Sequence, residues 1–305
     1  MRLAYLGPPG TFTEAAVLSQ EDLRTAELVA MGSIRDALAA TVDGVVDAGF
    51  VPIENAIEGT VVDTQDVLAG GAPLLIQREV VIPVQLHLLG HRGADLGAIS
   101  TVMSHPHALG QCRTFLDDRL PGATLEATNS TADAARMLSN SGDPATGAIA
   151  TSRAAEIYDL EMLATDIEDH PDNATRFILV TRDGIPAATG HDKTSVVIFQ
   201  RADTPGSLLA ILQEFAVRAI NLTHLESRPT RKGLGDYCFL VDIEGHIDDE
   251  VVADALRSLK AKQHDVRFLG SYPASGAPRQ AGARRSDDQQ AADAWMTELK
   301  TKIRK

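Results

Sequence analysis

The feature that most constrains the fold is a repeated local order. A short apolar run, a polar turn rich in Gly, Ser, Thr or Asn, and an amphipathic stretch recur through residues 1–160. Apolar runs at 3–6, 28–31, 45–53, 99–103, 125–128 and 147–150 predict strands, and the stretches after them predict helices. Alternation of this kind predicts an α/β fold with open sheets. The polar turns fall after residues 6, 53, 103, 128 and 150. Polar groups just past the C-terminal ends of strands face the ligand crevice of an open α/β sheet. N–H groups at the helix starts there can hold a carboxylate. If these turns meet between two lobes, they form a cleft rich in donors, as in a two-lobed binding protein. The extended stretch 74–89, interrupted by Pro83, would carry the chain across near residue 80, and the chain would return near 175. In that stretch Val84, Leu86 and Leu88 alternate with Gln85, His87 and Leu89, which predicts a solvent-facing His87.

The returning segment, Asp172-Asn173-Ala174-Thr175-Arg176-Phe177, precedes the apolar run 177–180. A hydroxyl and a guanidinium at the foot of a buried strand suit an anionic substrate. Arg offers a fixed fork of donors to a carboxylate, and Thr can donate one proton. The competing reading is an Arg that snorkels from a strand end beside a Thr that fills a β position. Glu54-Asn55-Ala56-Ile57-Glu58 follows another strand, and Asn55 can donate and accept at once. Glu54 and Glu58 are four apart, which alone does not define a glycosidase. The turn Gly7-Pro8-Pro9-Gly10-Thr11 matches neither a phosphate loop nor a dinucleotide fingerprint. His105 and His107 have no third ligand at recognisable spacing, so no metal is expected. No nucleophile elbow accompanies Ser104, and Cys112 reads as a packing residue.

A second unit runs from about 194 to 271. Its order β-α-β-β-α-β predicts an α+β ferredoxin-like sandwich. The first helix would use Leu208, Leu209, Leu212, Phe215 and Ala216 as its apolar face, and the second Val251, Val252, Ala255, Leu256 and Leu259. So small a module beside an α/β unit is expected to regulate or oligomerise. From 273 to 305 the composition turns to Ser, Gly, Ala, Arg and Gln. There Ala291, Trp295, Leu299 and Ile303 recur every four residues, so a short helix and a disordered tail both remain open.

Lys and Arg number 28 against 42 Asp and Glu, a net charge of -14. This acidity argues against a general nucleic-acid surface. Two cysteines make no disulfide framework, and no run approaches a membrane span. A soluble cytoplasmic protein is expected.

Taken together, the residues resemble the prephenate dehydratase family, in its monofunctional bacterial form with a C-terminal ACT domain. The resemblance rests on 7–16, on 51–61 around Pro52-Ile53-Glu54-Asn55, on His107-Ala108-Leu109-Gly110-Gln111-Cys112, on 129–135, and on Thr175-Arg176-Phe177. Two departures stand out: Ala56 where the family usually has Ser, and Pro205-Gly206-Ser207-Leu208 where Gly-Ala-Leu-Val is common. The resemblance implies a catalytic domain over 1–188, two-lobed and similar to type II periplasmic binding proteins. Its lobe one would span about 1–80 plus 175–188, and its lobe two about 81–174. An ACT domain would follow over 194–272. The implied activity takes prephenate to phenylpyruvate, water and carbon dioxide without a cofactor. By the same resemblance Thr175 helps the hydroxyl leave, Arg176 holds a carboxylate, and Asn55, Thr11, Gln111 and Ser130 lie around the substrate. Pro205, Gly206, Ser207 and Leu208, with Glu226, Ser227, Arg228 and Pro229, would bind phenylalanine as a feedback effector. A homodimer or homotetramer through the ACT and catalytic domains is implied. Arogenate dehydratase, a non-catalytic two-lobed sensor and an ACT-bearing transcription regulator are the rivals. The last would need a helix-turn-helix unit and a basic face, and neither is found.

Overall fold

The computed structural model describes residues 1–200, 204–230, 237–263, 265–276 and 294–296. Met1–Ala274 forms one compact unit. The chain begins with β1 (Arg2–Leu6), α1 (Phe12–Ser19), β2 (Glu27–Met31), α2 (Ile34–Val42), β3 (Ala48–Asn55), β4 (Gly59–Thr60), α3 (Val62–Gly70) and β5 (Leu75–Pro83). It continues with β6 (His87–Gly90), β7 (Thr101–Ser104), α4 (Pro106–Gln111), α5 (Arg113–Arg119), β8 (Thr124–Ala127), α6 (Thr131–Ser141), β9 (Thr146–Ala150), α7 (Ser152–Ile157) and β10 (Glu161–Ala164). Then β11 (Ala174–Thr181) returns to the first sheet, whose order is β2-β1-β3-β11-β5, with β4 paired to β3. The second sheet has the order β10-β6-β9-β7-β8. The chain thus changes sheets between Pro83 and His87, a few residues later than expected from the sequence, and changes back between Ala164 and Ala174.

The polar turns do what their residue types predict. Thr11, Ser33, Ser130 and Thr151 each cap the helix that follows, accepting the N–H of Glu14, Asp36, Asp133 and Ala154. Strand β9 is buried along its whole length, as a central strand covered on both faces must be. His87 is buried rather than solvent-facing, and its Nδ1 accepts the Asp166 N–H at 3.1 Å. The expected alternation holds only as far as Leu86, because β6 is covered on both sides.

The third sheet contains β12 (Asp192–Phe199), β13 (Leu222–Pro229), β14 (Tyr237–Glu244) and β15 (Asp265–Pro273), in the order β13-β14-β12-β15. The chain threads α8 (Ser207–Ala216) and α9 (Glu250–Lys262) between them. One face of this sheet packs on α8 and α9 through Ile198, Ile211, Phe215, Val241, Val252 and Leu259. On α8, Ile211 and Phe215 are buried, whereas Leu209 and Ala216 are exposed, so the apolar stripe is rotated from the expected one. The other face enters the core of the first sheet. There Val197, Leu240, Leu269 and Tyr272 join Ile53, Ile76, Ile178 and Val180 in one cluster. No described helix is long and apolar enough to cross a membrane. The expected tail helix falls mostly outside the described residues, of which 294–296 are helical.

Gly270 is where the backbone of the third sheet approaches that of the first. Its φ is 145°, and a Cβ there would lie 2.6 Å from the Ile76 carbonyl oxygen. Backbone cannot yield as a flexible side chain can. Gly270→Ala is expected to destabilise the chain by about 1–3 kcal/mol, read as a lower midpoint in urea. An unchanged midpoint would mean that the sheets are not held this closely.

Candidate active site

The turns from the two lobes meet. Gly10 of the first turn accepts from the Thr151 hydroxyl at 2.8 Å, and a Cβ on Gly10 would lie 3.1 Å from the Ala154 Cα and 3.5 Å from the Ala132 Cβ. Thus the starts of α6 and α7 in the second lobe abut the loop that starts α1. Farther along, Glu58 accepts from Gln111 at 3.3 Å and lies 3.4 Å from the His107 Nδ1. Gln111 in turn accepts from Asn173 at 3.2 Å.

Thr175 lies two residues after Asn173, the member of this seam that binds Gln111. Strands β3 and β11 run antiparallel with Asn55 opposite Thr175 and Glu54 opposite Arg176. Asn55 Nδ2 donates to Thr175 Oγ1 at 2.9 Å, while Asn55 Oδ1 accepts the N–H groups of Ile57 and Glu58. The Asn55 side chain is therefore locked, and it occupies a lone pair of the Thr175 oxygen. The Thr175 proton has no acceptor among the described residues and is free for a ligand.

Arg176 requires a correction. Neighbouring residues on a strand point to opposite faces, so Arg176 faces away from Thr175. Its Nε donates to Glu79 at 2.6 Å, one terminal nitrogen to Asp242 at 2.7 Å, and the other to the Tyr272 hydroxyl at 2.9 Å. It is 9% exposed. Burial alone would lower its pKa, but Asp242, Tyr272 and Glu79 outweigh burial and keep it charged. Its whole fork is spent on protein, between the first and third sheets. Glu54 sits on the Arg176 side of the strand, partly exposed and 3.5 Å from Arg176, away from the Glu58 that meets Gln111 and His107.

Three further candidates are placed less directly. The Thr11 hydroxyl donates to the Leu6 carbonyl at 3.1 Å and accepts from Glu14, so it holds the start of α1. Gln111 spends its amide bridging Glu58 and Asn173. Ser130 caps α6, and its own proton has no acceptor among the described residues. Sequence reasoning missed one residue. Asn173, 2% exposed, keeps a buried Oδ1 with no partner among the described residues. Standing two residues before Thr175, it carried the period-2 signal of a shared face.

In the third sheet, Gly206, Ser207, Leu208 and Ser227 line one pocket of about 560 Å³ with Tyr237 and Phe239. Glu226 and Arg228 point the other way, to Thr60 and Asp66 of the first lobe. Pro229 lines a different cavity, with Arg35 and Asp66. Pro205 lies in the turn before α8, whose cap Gly206 has φ 88°.

Comparison with known proteins agrees with this layout. The prephenate dehydratase family profile matches residues 3–185, and the ACT domain profile residues 194–261. A prephenate dehydratase of Mycobacteroides abscessus is 43% identical, over 98% of this chain and 98% of its own. A crystal structure of the prephenate dehydratase from Arthrobacter aurescens in complex with L-Phe is 40% identical. It covers 99% of this chain and 100% of its own, with a TM-score of 0.86. A structure described as GqqA, a novel type of quorum quenching acylase, is 29% identical over 90% of this chain and 98% of its own, with a TM-score of 0.82. The fold and the seam between the lobes define a two-lobed α/β enzyme with an appended ACT sheet. The chain belongs to the prephenate dehydratase family.

His224 of β13 lies 3.7 Å from Glu54 and 3.6 Å from Glu226. The nearby Glu54 carboxylate raises the His224 pKa against burial, with help from Asp242 and opposition from Arg176. The same contact lowers Glu54. The pair therefore stabilises the fold fully between the unfolded values of 4.5 and 6.5. The His224 share is lost as pH rises through its raised folded value, and the Glu54 share as pH falls through its lowered one. His224→Asn should be less stable than the wild type in that window, and the deficit should shrink as pH rises beyond it. Urea titrations across pH would check this; a deficit that does not vary with pH would contradict the pairing.

Proposed function

We propose that this chain converts prephenate to phenylpyruvate, water and carbon dioxide, with Thr175 delivering the hydrogen bond that lets the ring hydroxyl leave. The observation that carries the reading is the Thr175 hydroxyl, fixed by Asn55 as an acceptor and left with a free proton. Prephenate carries a carboxylate on one ring carbon and a hydroxyl on the opposite one. The carbon–oxygen bond breaks with its electron pair going to oxygen, which takes a proton and leaves as water. The pair from the carbon–carboxylate bond moves into the ring, carbon dioxide leaves, and the ring becomes aromatic. One proton from solvent is consumed per turnover and restores Thr175. Asn55 donates into the Thr175 oxygen as that oxygen gains negative charge, a contact strongest in the transition state. The substrate carboxylates would be held by N–H groups at the starts of α1 and α6, with the buried Asn173 Oδ1 accepting from the hydroxyl.

Phenylalanine is the proposed feedback effector, in the pocket of Gly206, Ser207, Leu208 and Ser227. Support comes from the L-Phe complex of the Arthrobacter relative. A homodimer or homotetramer and a cytoplasmic location go with this reading. Leu209 and Leu225 are exposed apolar groups on the third sheet and its helix, suited to a subunit contact. The acylase chemistry named for the 29% identical structure fits less well. It needs a nucleophile beside a base, and Asn55 donates to Thr175 instead of accepting from it.

The test mixes purified chain with prephenate, without metal or nucleotide, and follows phenylpyruvate by its absorbance in alkali. Product should form and phenylalanine should slow it. Arogenate yielding phenylalanine while prephenate stays inert would move the substrate, and silence on both with ligand binding intact would favour a sensor. Thr175→Ala should lose roughly 100- to 10,000-fold in kcat while keeping its urea midpoint and phenylalanine affinity. A near-normal kcat would remove Thr175 from this role.

A further inference from the structure

We propose that Arg176 and Glu54 are positioning residues that carry the state of the ACT sheet to Thr175 and Asn55. The inference rests on the dehydratase reading with phenylalanine as effector, and adds the route between the two sites.

The geometry is a pair of strands used from both sides. Thr175 and Asn55 face each other across β11 and β3 on the cleft side. One residue along each strand, Arg176 and Glu54 face each other on the hidden side. Among the described residues, three groups of the third sheet grip this second pair: Asp242 on β14, Tyr272 on β15 and His224 on β13. Ser195 of β12 ties the grip together, donating to Asp242 at 2.5 Å and meeting the Tyr272 hydroxyl at 2.6 Å. Lys193 of β12 reaches Glu79, the other Arg176 partner, at 2.8 Å. At the catalytic end each coupling residue is the chain neighbour of a cleft residue, Arg176 of Thr175 and Glu54 of Asn55.

The effector side has the same alternation. On β13, Ser227 lines the pocket, while His224, Glu226 and Arg228 face the catalytic domain at Glu54, Thr60 and Asp66. On β14, Tyr237 and Phe239 line the pocket, and Asp242 faces Arg176. A ligand that shifts β13 or β14 must therefore move groups bound to Arg176 and Glu54. Interior packing turns such small shifts into discrete rearrangements. Stability alone would not call for this cluster. Buried ion pairs replaced by apolar residues often cost nothing, although losing one partner is expensive.

The experiment uses the full chain. Tyr272→Phe removes one hydroxyl from the grip, and Asp242→Asn removes one charge. Neither residue lines the cleft or the effector pocket. For each variant the urea midpoint, kcat, KM, the ratio of uninhibited to fully inhibited rate, and phenylalanine affinity by calorimetry are measured. The expected result is a folded variant with unchanged phenylalanine affinity and KM, a lower kcat, and an inhibition ratio reduced about fivefold or more. If Asp242→Asn does not fold, Tyr272→Phe decides alone. A folded variant that keeps both wild-type kcat and the wild-type inhibition ratio overturns the route. So does one whose inhibition falls only in step with lost phenylalanine affinity. A wild-type chain that turns over no prephenate overturns the underlying reading, and this inference with it.

Discussion

The buried guanidinium of Arg176 is the interaction on which the rest of the structure depends. A charge taken out of water must be paired and fully hydrogen-bonded, or it costs several kcal/mol. Here the pairing comes from two directions, Glu79 from the strand beside it and Asp242 from the third sheet. The consequence is geometric. The third sheet cannot separate from the first without taking Asp242 from its cation and Arg176 from one of its carboxylates, in an apolar surround of Ile53, Ile76, Leu240 and Leu269. Two cations, Arg176 and Lys193, meet the buried carboxylates Glu79 and Asp242, and Glu54 and His224 stand beside them with His224 raised and Glu54 lowered in pKa.

This arrangement explains why a single strand can serve two tasks. A helix would place neighbouring residues about a quarter-turn apart on one surface. A strand places them on opposite faces. Thr175 and Arg176 are adjacent in the chain yet belong to different compartments, one polar and open between lobes, the other closed between sheets. The free proton on Thr175 and the spent fork of Arg176 follow from that one turn of the pleat. An acidic chain of net charge -14 can hold an anionic substrate only through local donors. With Arg176 facing elsewhere, the proposed reading gives that task to the donors at the helix starts.

Much of this was legible in the residues. Apolar runs followed by polar turns predicted strand and helix, and Thr11 and Ser130 in those turns cap the helices because their side chains satisfy a first-turn N–H wherever the fold puts them. The order β-α-β-β-α-β was readable for the same local reason. What was not readable depends on partners far away in the chain. Arg176 looked like a substrate clamp because its partners, 97, 66 and 96 residues distant, carry no local signal. His87 looked exposed because the segment that covers it lies 79 residues on. The short strands β4 and β10 exist only through pairing with β3 and β6, and intrinsic preference does not mark them. The apolar stripe of α8 was misplaced because Leu209 is apolar yet lines a surface pocket.

One measurement tests the division of labour between Thr175 and Arg176 most directly. It is a crystal structure of the chain with an unreactive prephenate analogue that keeps the ring hydroxyl and both carboxylates. The account predicts the ring hydroxyl within hydrogen-bond distance of Thr175 Oγ1, and Arg176 still bound to Glu79, Asp242 and Tyr272 with no contact to the ligand. Arg176 turned into the cleft and paired with a ligand carboxylate would contradict it.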